Sequence, residues 1–295
     1  MKASDQKPPK RQHILPQRYQ AGFAGVDGCL WYFDRRRGTI ACEHPRRVAV
    51  ENHFYTYEPR NTPNATGIES FFASQIEGPF WPVLDRLEKQ EIPTSDDRMR
   101  MAFFSAFMLT RIPAFRDFCA RVFANILLSF SKLDSNLKFL DDSLRASNGG
   151  ILHPQEPKNN VLLRMQNLGV EIGKHLLTLD THLMYSSADE PFIASDNPFV
   201  LRRMVNDAQP PTVRATSFMK WIPLSAKLAL GFGLPGNRIT LTSVESAKVR
   251  TLNVSLATAS RQIVIASSRS QLEEILATLP KEVPGAASGF PSVVA

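Results

Sequence analysis

Two stretches and one set of charged residues in this chain are of types that do chemistry. His13 stands six residues before Tyr19, with Pro16 between them. A neutral imidazole can accept a proton or bind a metal, and its ordinary pKa of about 6.5 suits either role. The spacing across a proline can turn His13 and Tyr19 into one pocket. The alternative is a half-buried imidazole bonded to a carbonyl. The second stretch is Ser195-Asp196-Asn197-Pro198. An apolar run ends there, a carboxylate follows, and Asn197, before proline, is pushed into an extended conformation. Such a turn can hold Asp196 at the rim of a sheet, with Asn197 beside it as a binding group. Equally, these are ordinary turn residues, and the aspartate can serve main-chain N–H groups. His13 and Asp196 are therefore the catalytic candidates. Tyr19, Arg111 and Asn197 are the ligand-binding candidates.

The third set is Glu69, Glu77 and Arg111. The two glutamates lie eight residues apart in a helical pattern. On a straight α-helix, ~1.5 Å of rise per residue separates them by about 12 Å, and ~100° of turn per residue leaves their faces about 80° apart. They cannot share one ion from such a helix, so each is assigned its own role. Glu77 is expected to pair with Arg111 across helices, because a planar guanidinium suits a bidentate carboxylate. Arg111 could instead clamp a phosphate or carboxylate. Gly231-Phe-Gly233-Leu-Pro-Gly236 has glycine spacing like that of a dinucleotide fingerprint, but that loop must open directly into a helix. Here a turn and a strand-like run follow, and a hairpin is expected.

Those residues need elements to hold them. Tyr19 and Phe23 share a face of a short helix that begins near Pro16. Residues 29–33 and 38–42 read as paired strands about a turn at Asp34 to Gly38. Residues 46–52 read as one or two helical turns. A helix is expected over 67–90, kinked by Gly78-Pro79 and Pro82. Another follows Ser95-Asp96-Asp97, which supplies capping chemistry. It breaks near Pro113 and continues to about residue 131. After a loop over 147–160 a further helix covers 161–179. Strands then dominate, near 183–185, 191–194, 217–222, 227–231 and 262–266, with helices at 244–257 and 271–278. The fold class is α+β: a helical middle packed on a mostly antiparallel sheet formed largely by the C-terminal half, with a small N-terminal hairpin. Residues 1–12 read as a flexible basic lead-in, 13–279 as one domain and 280–295 as a disordered tail.

Composition bounds the classes. A chain of 295 residues with 43% hydrophobic and 21% charged content can bury a sizeable core. The three cysteines, Cys29, Cys42 and Cys119, include no C-x-x-C pair. A disulfide framework and a thiolate zinc site are not expected, and reduced thiols fit a cytoplasmic address. No apolar run reaches the length of a membrane span. Residues 1–60 carry eleven Lys/Arg against six Asp/Glu, so most of the net +7 sits in the first fifth. That charge suits an anionic ligand or nucleic acid, or simply a solvated surface.

Several motifs then occur in a recognisable order. They are His13-Ile-Leu-Pro16-Gln-Arg-Tyr19 with Gly22-Phe23, Phe54-Tyr55-Thr56, Ile68-Glu69 with Ile76-Glu77, Arg111-Ile-Pro113, Ser195-Asp196-Asn197-Pro198 and Ile222-Pro223-Leu224-Ser225. Together the set resembles the family called domain of unknown function 4238, over about residues 10 to 265. The resemblance implies an α+β fold and assigns no activity. Three functions remain open. One is a binding protein with a polar pocket for an anionic ligand, built from His13, Tyr19, Arg111 and Asp196. One is a metal-dependent hydrolase or nuclease, with Asp196, His13 and Glu69 or Glu77 holding a divalent metal that activates water. The third is a protein–protein interaction module that uses the helical middle.

Overall fold

The computed structural model describes residues 11–57, 66–122, 156–187, 189–203, 218–279 and 293–294. The expected helix end near residue 131, residues 147–155 of the expected loop and residues 280–292 of the expected tail lie outside the described residues; residues 156–160 of that loop are instead helical, and Val293–Val294 of that tail form a strand. The first described elements are β1 (Arg11–His13), of which Arg11 and Gln12 fall in the stretch assigned to the lead-in, and α1 (Gln17–Ala21). The hairpin β2 (Leu30–Asp34) and β3 (Thr39–Glu43) turns on the Asp34 carboxylate, which accepts the N–H groups of Arg36 and Arg37. Gly38 closes that turn at φ +65°, where a side chain would be strained. Residues 45–52 correct the sequence expectation. Only Pro45–Arg47 makes a single 3-10 turn, capped by the His44 ring, and Val50–Asn52 forms strand β4 paired antiparallel with β1.

The helical layer follows: α2 (Gly67–Phe71), a π-helical segment Phe72–Glu77, α3 (Gly78–Leu87) and α4 (Ser95–Thr110). The cap of α4 is Thr94, one residue earlier than the sequence suggested. Thr94 accepts the Asp97 N–H while the Asp97 carboxylate accepts the Thr94 N–H. Phe80 and Phe104 stack with ring centroids 3.8 Å apart, joining α3 to α4. Helix α5 (Glu156–Leu176) packs on α4 through Gly169. A Cβ at Gly169 would lie 2.5 Å from the Phe107 ring, so only glycine allows this approach.

The strand-rich end forms β5 (Leu179–Ser186), β6 (Ala194–Ser195), β7 (Val200–Arg203), β8 (Phe218–Pro223), β9 (Leu228–Pro235) and β10 (Ile239–Val244). Helix α6 (Ser246–Ala259), β11 (Ile263–Ala266), α7 (Arg269–Thr278) and β12 (Val293–Val294) complete it. One six-stranded sheet has the order β10-β5-β9-β8-β7-β12, and a four-stranded sheet has the order β3-β2-β11-β6. Pairing is antiparallel except for β10 with β5 and β12 with β7. The fold is thus α+β, and its larger sheet comes from the C-terminal half.

β9 and β10 are not the expected hairpin. They flank β5 on opposite sides. The chain is carried across the start of β5 because Asp180 accepts the Arg238 N–H and two guanidinium N–H groups, and the Gly236 N–H donates to the Thr178 carbonyl. Gly236 serves this crossing, where a Cβ would meet the Asp180 carboxylate, while Gly231 and Gly233 lie within β9, and no helix opens from any of them.

Candidate functional site

The decisive local feature is the π-helical segment at Phe72–Glu77. A π-turn acts as one inserted residue within an α-helix, and such turns are frequent at functional sites. It shifts the angular phase by about one residue, ~100°. The ~80° offset expected between Glu69 and Glu77 therefore falls to about 20°. This corrects the straight-helix premise: both glutamates face the same way, and both lie in the field of Arg111.

Arg111 closes the C-terminus of α4 and is only 5% exposed. Its Nη1 donates to Glu77 Oε1, its Nη2 to the His13 carbonyl at 3.0 Å, and its Nε to the Tyr55 hydroxyl at 3.3 Å. The guanidinium also lies over the Tyr55 and Phe72 rings. Burial opposes its charge, but Tyr55 and Glu77 outweigh that and hold its pKa above the usual value. The Tyr55 hydroxyl donates to the Arg111 carbonyl at 2.7 Å, and burial pushes its pKa up to about 12. The expected Glu77–Arg111 pairing is therefore present, through one N–H rather than two, with Arg111 buried and Glu77 half-buried.

Sequence reasoning missed Gln12. Its side-chain amide N–H donates to Glu69 Oε2 at 2.8 Å, and its amide oxygen accepts the Tyr55 N–H at 2.6 Å. Its only sequence signal was adjacency to His13. Burial raises the Glu69 pKa, against the pull of Gln12 and Arg111. The outcome is one polar network of Gln12, Tyr55, Glu69, Glu77 and Arg111. Thr56 and Thr110, next in sequence to Tyr55 and Arg111, bury hydroxyls that have no hydrogen-bond partner among the described residues. Ala49 and His53, on either side of β4, both have positive φ, a backbone strain that tends to collect at binding sites.

His13 sits at the rim of this network. Its Nε2 lies 3.2 Å from the Arg46 carbonyl. A carbonyl can only accept, so Nε2 carries the proton and Nδ1 offers a lone pair. Burial lowers the imidazole pKa; the Arg46 carbonyl works against that, while Arg111 and Arg11 add to it. The ring thus favours its neutral form, and Arg111 and Arg11 are the cations whose charge acts on it.

The other candidates are placed elsewhere. Tyr19 lies in the core against Phe23 and Phe104, and its hydroxyl donates to the Pro223 carbonyl. Asp196 is buried at the end of β6, and its carboxylate accepts the N–H groups of Arg261, Gln262 and Ile263 at 3.0–3.2 Å. Burial raises its pKa while those donors pull it back. Asn197 donates to the Ala259 carbonyl at the C-terminus of α6. His13 and Asp196 share no hydrogen-bond partner; each is engaged by main chain nearby. Among the described residues, no three His, Cys, Asp or Glu side chains gather as a bound cation would require. A cavity of about 320 Å³ between α6 and α7, lined among others by Glu190, Arg250 and Glu274, contains none of the candidates.

The family model described as "Protein of unknown function (DUF4238)" matches residues 11–270. The chain belongs to this family. No curated protein and no solved structure matches it. The DUF4238 match starts at Arg11, the first residue of β1, so both sides of the Arg111 network and the Asp196 turn fall inside it. Two of the motifs that carried the resemblance meet directly in this DUF4238 chain. Tyr19 bonds Pro223, and the Ala226 N–H donates to the Gly22 carbonyl. No helix among the described residues is long and apolar enough to cross a membrane.

Proposed function

We propose that this protein binds an anionic ligand at the rim of the Arg111 network, over His13. The supporting observation is the neutral imidazole of His13, its Nδ1 lone pair uncommitted, flanked by cations. Arg11 and Arg111 are the cations whose charge acts on the ring, Arg46 lends it a carbonyl, and the exposed side chains of Arg11 and Arg46 enter no ion pair among the described residues. Arg111 itself is matched by Glu77, so the anion would rest on Arg11 and Arg46 rather than clamp Arg111 directly. An anion at Nδ1 meets a lone pair unless the ring takes up a proton. Binding would therefore be coupled to protonation of His13, and affinity would rise as the pH falls from 8 to 6.

Calorimetric titration with inorganic phosphate at constant ionic strength tests this. Wild type would bind, more tightly at pH 6 than at pH 8, and an Arg11→Ala/Arg46→Ala double variant would lose most of the heat. Equal heats in wild type and the double variant would contradict the proposal. The hydrolase alternative draws less support. Asp196 would have to release three main-chain donors before it could hold a metal.

A further inference from the structure

We infer that β10 is the docking edge for a second copy of this chain, paired antiparallel with its own β10 about a two-fold axis at Leu241. β10 ends the six-stranded sheet and pairs on one side only, with β5. Thr240, Leu241, Thr242 and Ser243 are all exposed, so among the described residues nothing covers this edge. Sheet edges left open to solvent usually carry a lysine, a proline, an inward charge or a bulge that blocks further pairing. Ile239–Val244 carries none of these: its sequence is ITLTSV, and its pairing with β5 runs without a register shift.

The strand is also self-complementary. A two-fold axis perpendicular to the sheet keeps every side chain on its own face, so residues that oppose each other must be an even number apart. Centring on Leu241 sets Leu241 against Leu241, Thr240 against Thr242, and Ile239 against Ser243. Leu241, 40% exposed and among the few large exposed apolar side chains, would then be covered. Thr–Thr pairs across strands are favourable. The strand is flanked by Arg238 and Glu245. Antiparallel order brings Glu245 of one copy to the end where Arg238 of the other lies, so the flanking charges are opposite in sign.

Sedimentation velocity over a range of concentrations tests this, on wild type, Leu241→Lys and Thr242→Lys. Wild type would move from one chain of 33.0 kDa towards twice that mass as concentration rises. Both lysine variants would stay at one chain, with unchanged helical and strand content by circular dichroism. Should Leu241→Lys fail to fold, Thr242→Lys decides. A wild type that stays at one chain throughout, or folded lysine variants that still pair, would overturn the inference. Binding of an added peptide strand to a wild type that never pairs with itself would also overturn it, because the edge would then serve a different partner.

Discussion

At the scale of single residues, chemistry-bearing types divide by what their neighbours leave free. Asp196 is largely spent on the fold: three main-chain donors take three of its carboxylate's acceptor positions. Asp196→Asn replaces one charged acceptor oxygen with an amide, and is expected to cost about 2–3 kcal/mol, since hydrogen bonds to a charged acceptor are the stronger ones. Urea unfolding would show that loss while phosphate affinity stays unchanged; a changed affinity at unchanged stability would give Asp196 a site role. The Glu77–Arg111 pair behaves differently. Arg111→Met leaves the half-buried Glu77 carboxylate unpaired and is expected to lose about 3 kcal/mol, the low end for a buried pair, whereas Glu77→Gln with Arg111→Met is expected to recover part of it. A double-mutant cycle measures the coupling. This pair was legible in the sequence because both residue types suit a buried ion pair. Gln12 was not, because a glutamine beside a histidine has no chemical signature of its own.

His13 adds a pH dependence at the same scale. Its pKa is held below the ordinary 6.5 in the folded state, so below that value the unfolded chain takes up the proton more readily. The stability contributed by its neutral ring is present above pH 6.5 and is lost as the pH falls through the interval down to the folded value. His182, also lowered by burial, acts with the same sign. Glu69, raised by burial, acts with the opposite sign in the acid range. Unfolding free energies between pH 7.5 and 5.5 should fall in wild type and fall less in His13→Asn; equal slopes would show that His13 is not the titrating group.

At the scale of elements, the π-helical segment decides the site. The sequence pattern located the helix and its apolar face but assumed a constant ~100° per residue. One extra residue in a turn is invisible to that assumption and rotates everything beyond it. Deleting Ser74, which is exposed, should restore an α-phase. Helical content would persist by circular dichroism, while Glu69 and Glu77 could no longer both face Arg111, and the thermal midpoint would drop. An unchanged midpoint would mean that the phase shift carries no weight. β9 and β10 were missed for a related reason. A short turn between two strand patterns suggests a hairpin, and only the distant Asp180 sends the chain across the end of β5.

The hairpin β2–β3 corrects another expectation. Cys29 and Cys42 face each other at the open end of this hairpin, with Cα atoms 5.8 Å apart, a separation that a disulfide spans. Spacing alone could not pair them, since the hairpin supplies the proximity. Closing a loop of this size stabilises by up to about 3 kcal/mol. A thiol reductant should therefore lower the thermal midpoint of wild type and leave Cys42→Ser unaffected. A midpoint that ignores reductant would show that the pair contributes nothing.

At the scale of the molecule, the helical middle and the strand-rich end were legible from apolar periodicity, and so was the α+β class. What periodicity could not convey was which distant segments meet. Arg111 reaches back to His13 across 98 positions, and Tyr55 to Arg111 across 56. Asp196 instead fastens β6 to β11. The two ends of the expected site thus serve different parts of the fold: among the described residues the His13 end leaves the Nδ1 lone pair uncommitted, and the Asp196 end leaves one buried guanidinium nitrogen of Arg261 without a hydrogen-bond partner. Nitrogen-15 NMR of the His13 imidazole during a phosphate titration at pH 7 tests this most directly. Anion docking over His13 predicts a saturable shift of Nδ1 towards the imidazolium position. A ring signal that stays at its neutral position through saturating phosphate would contradict it.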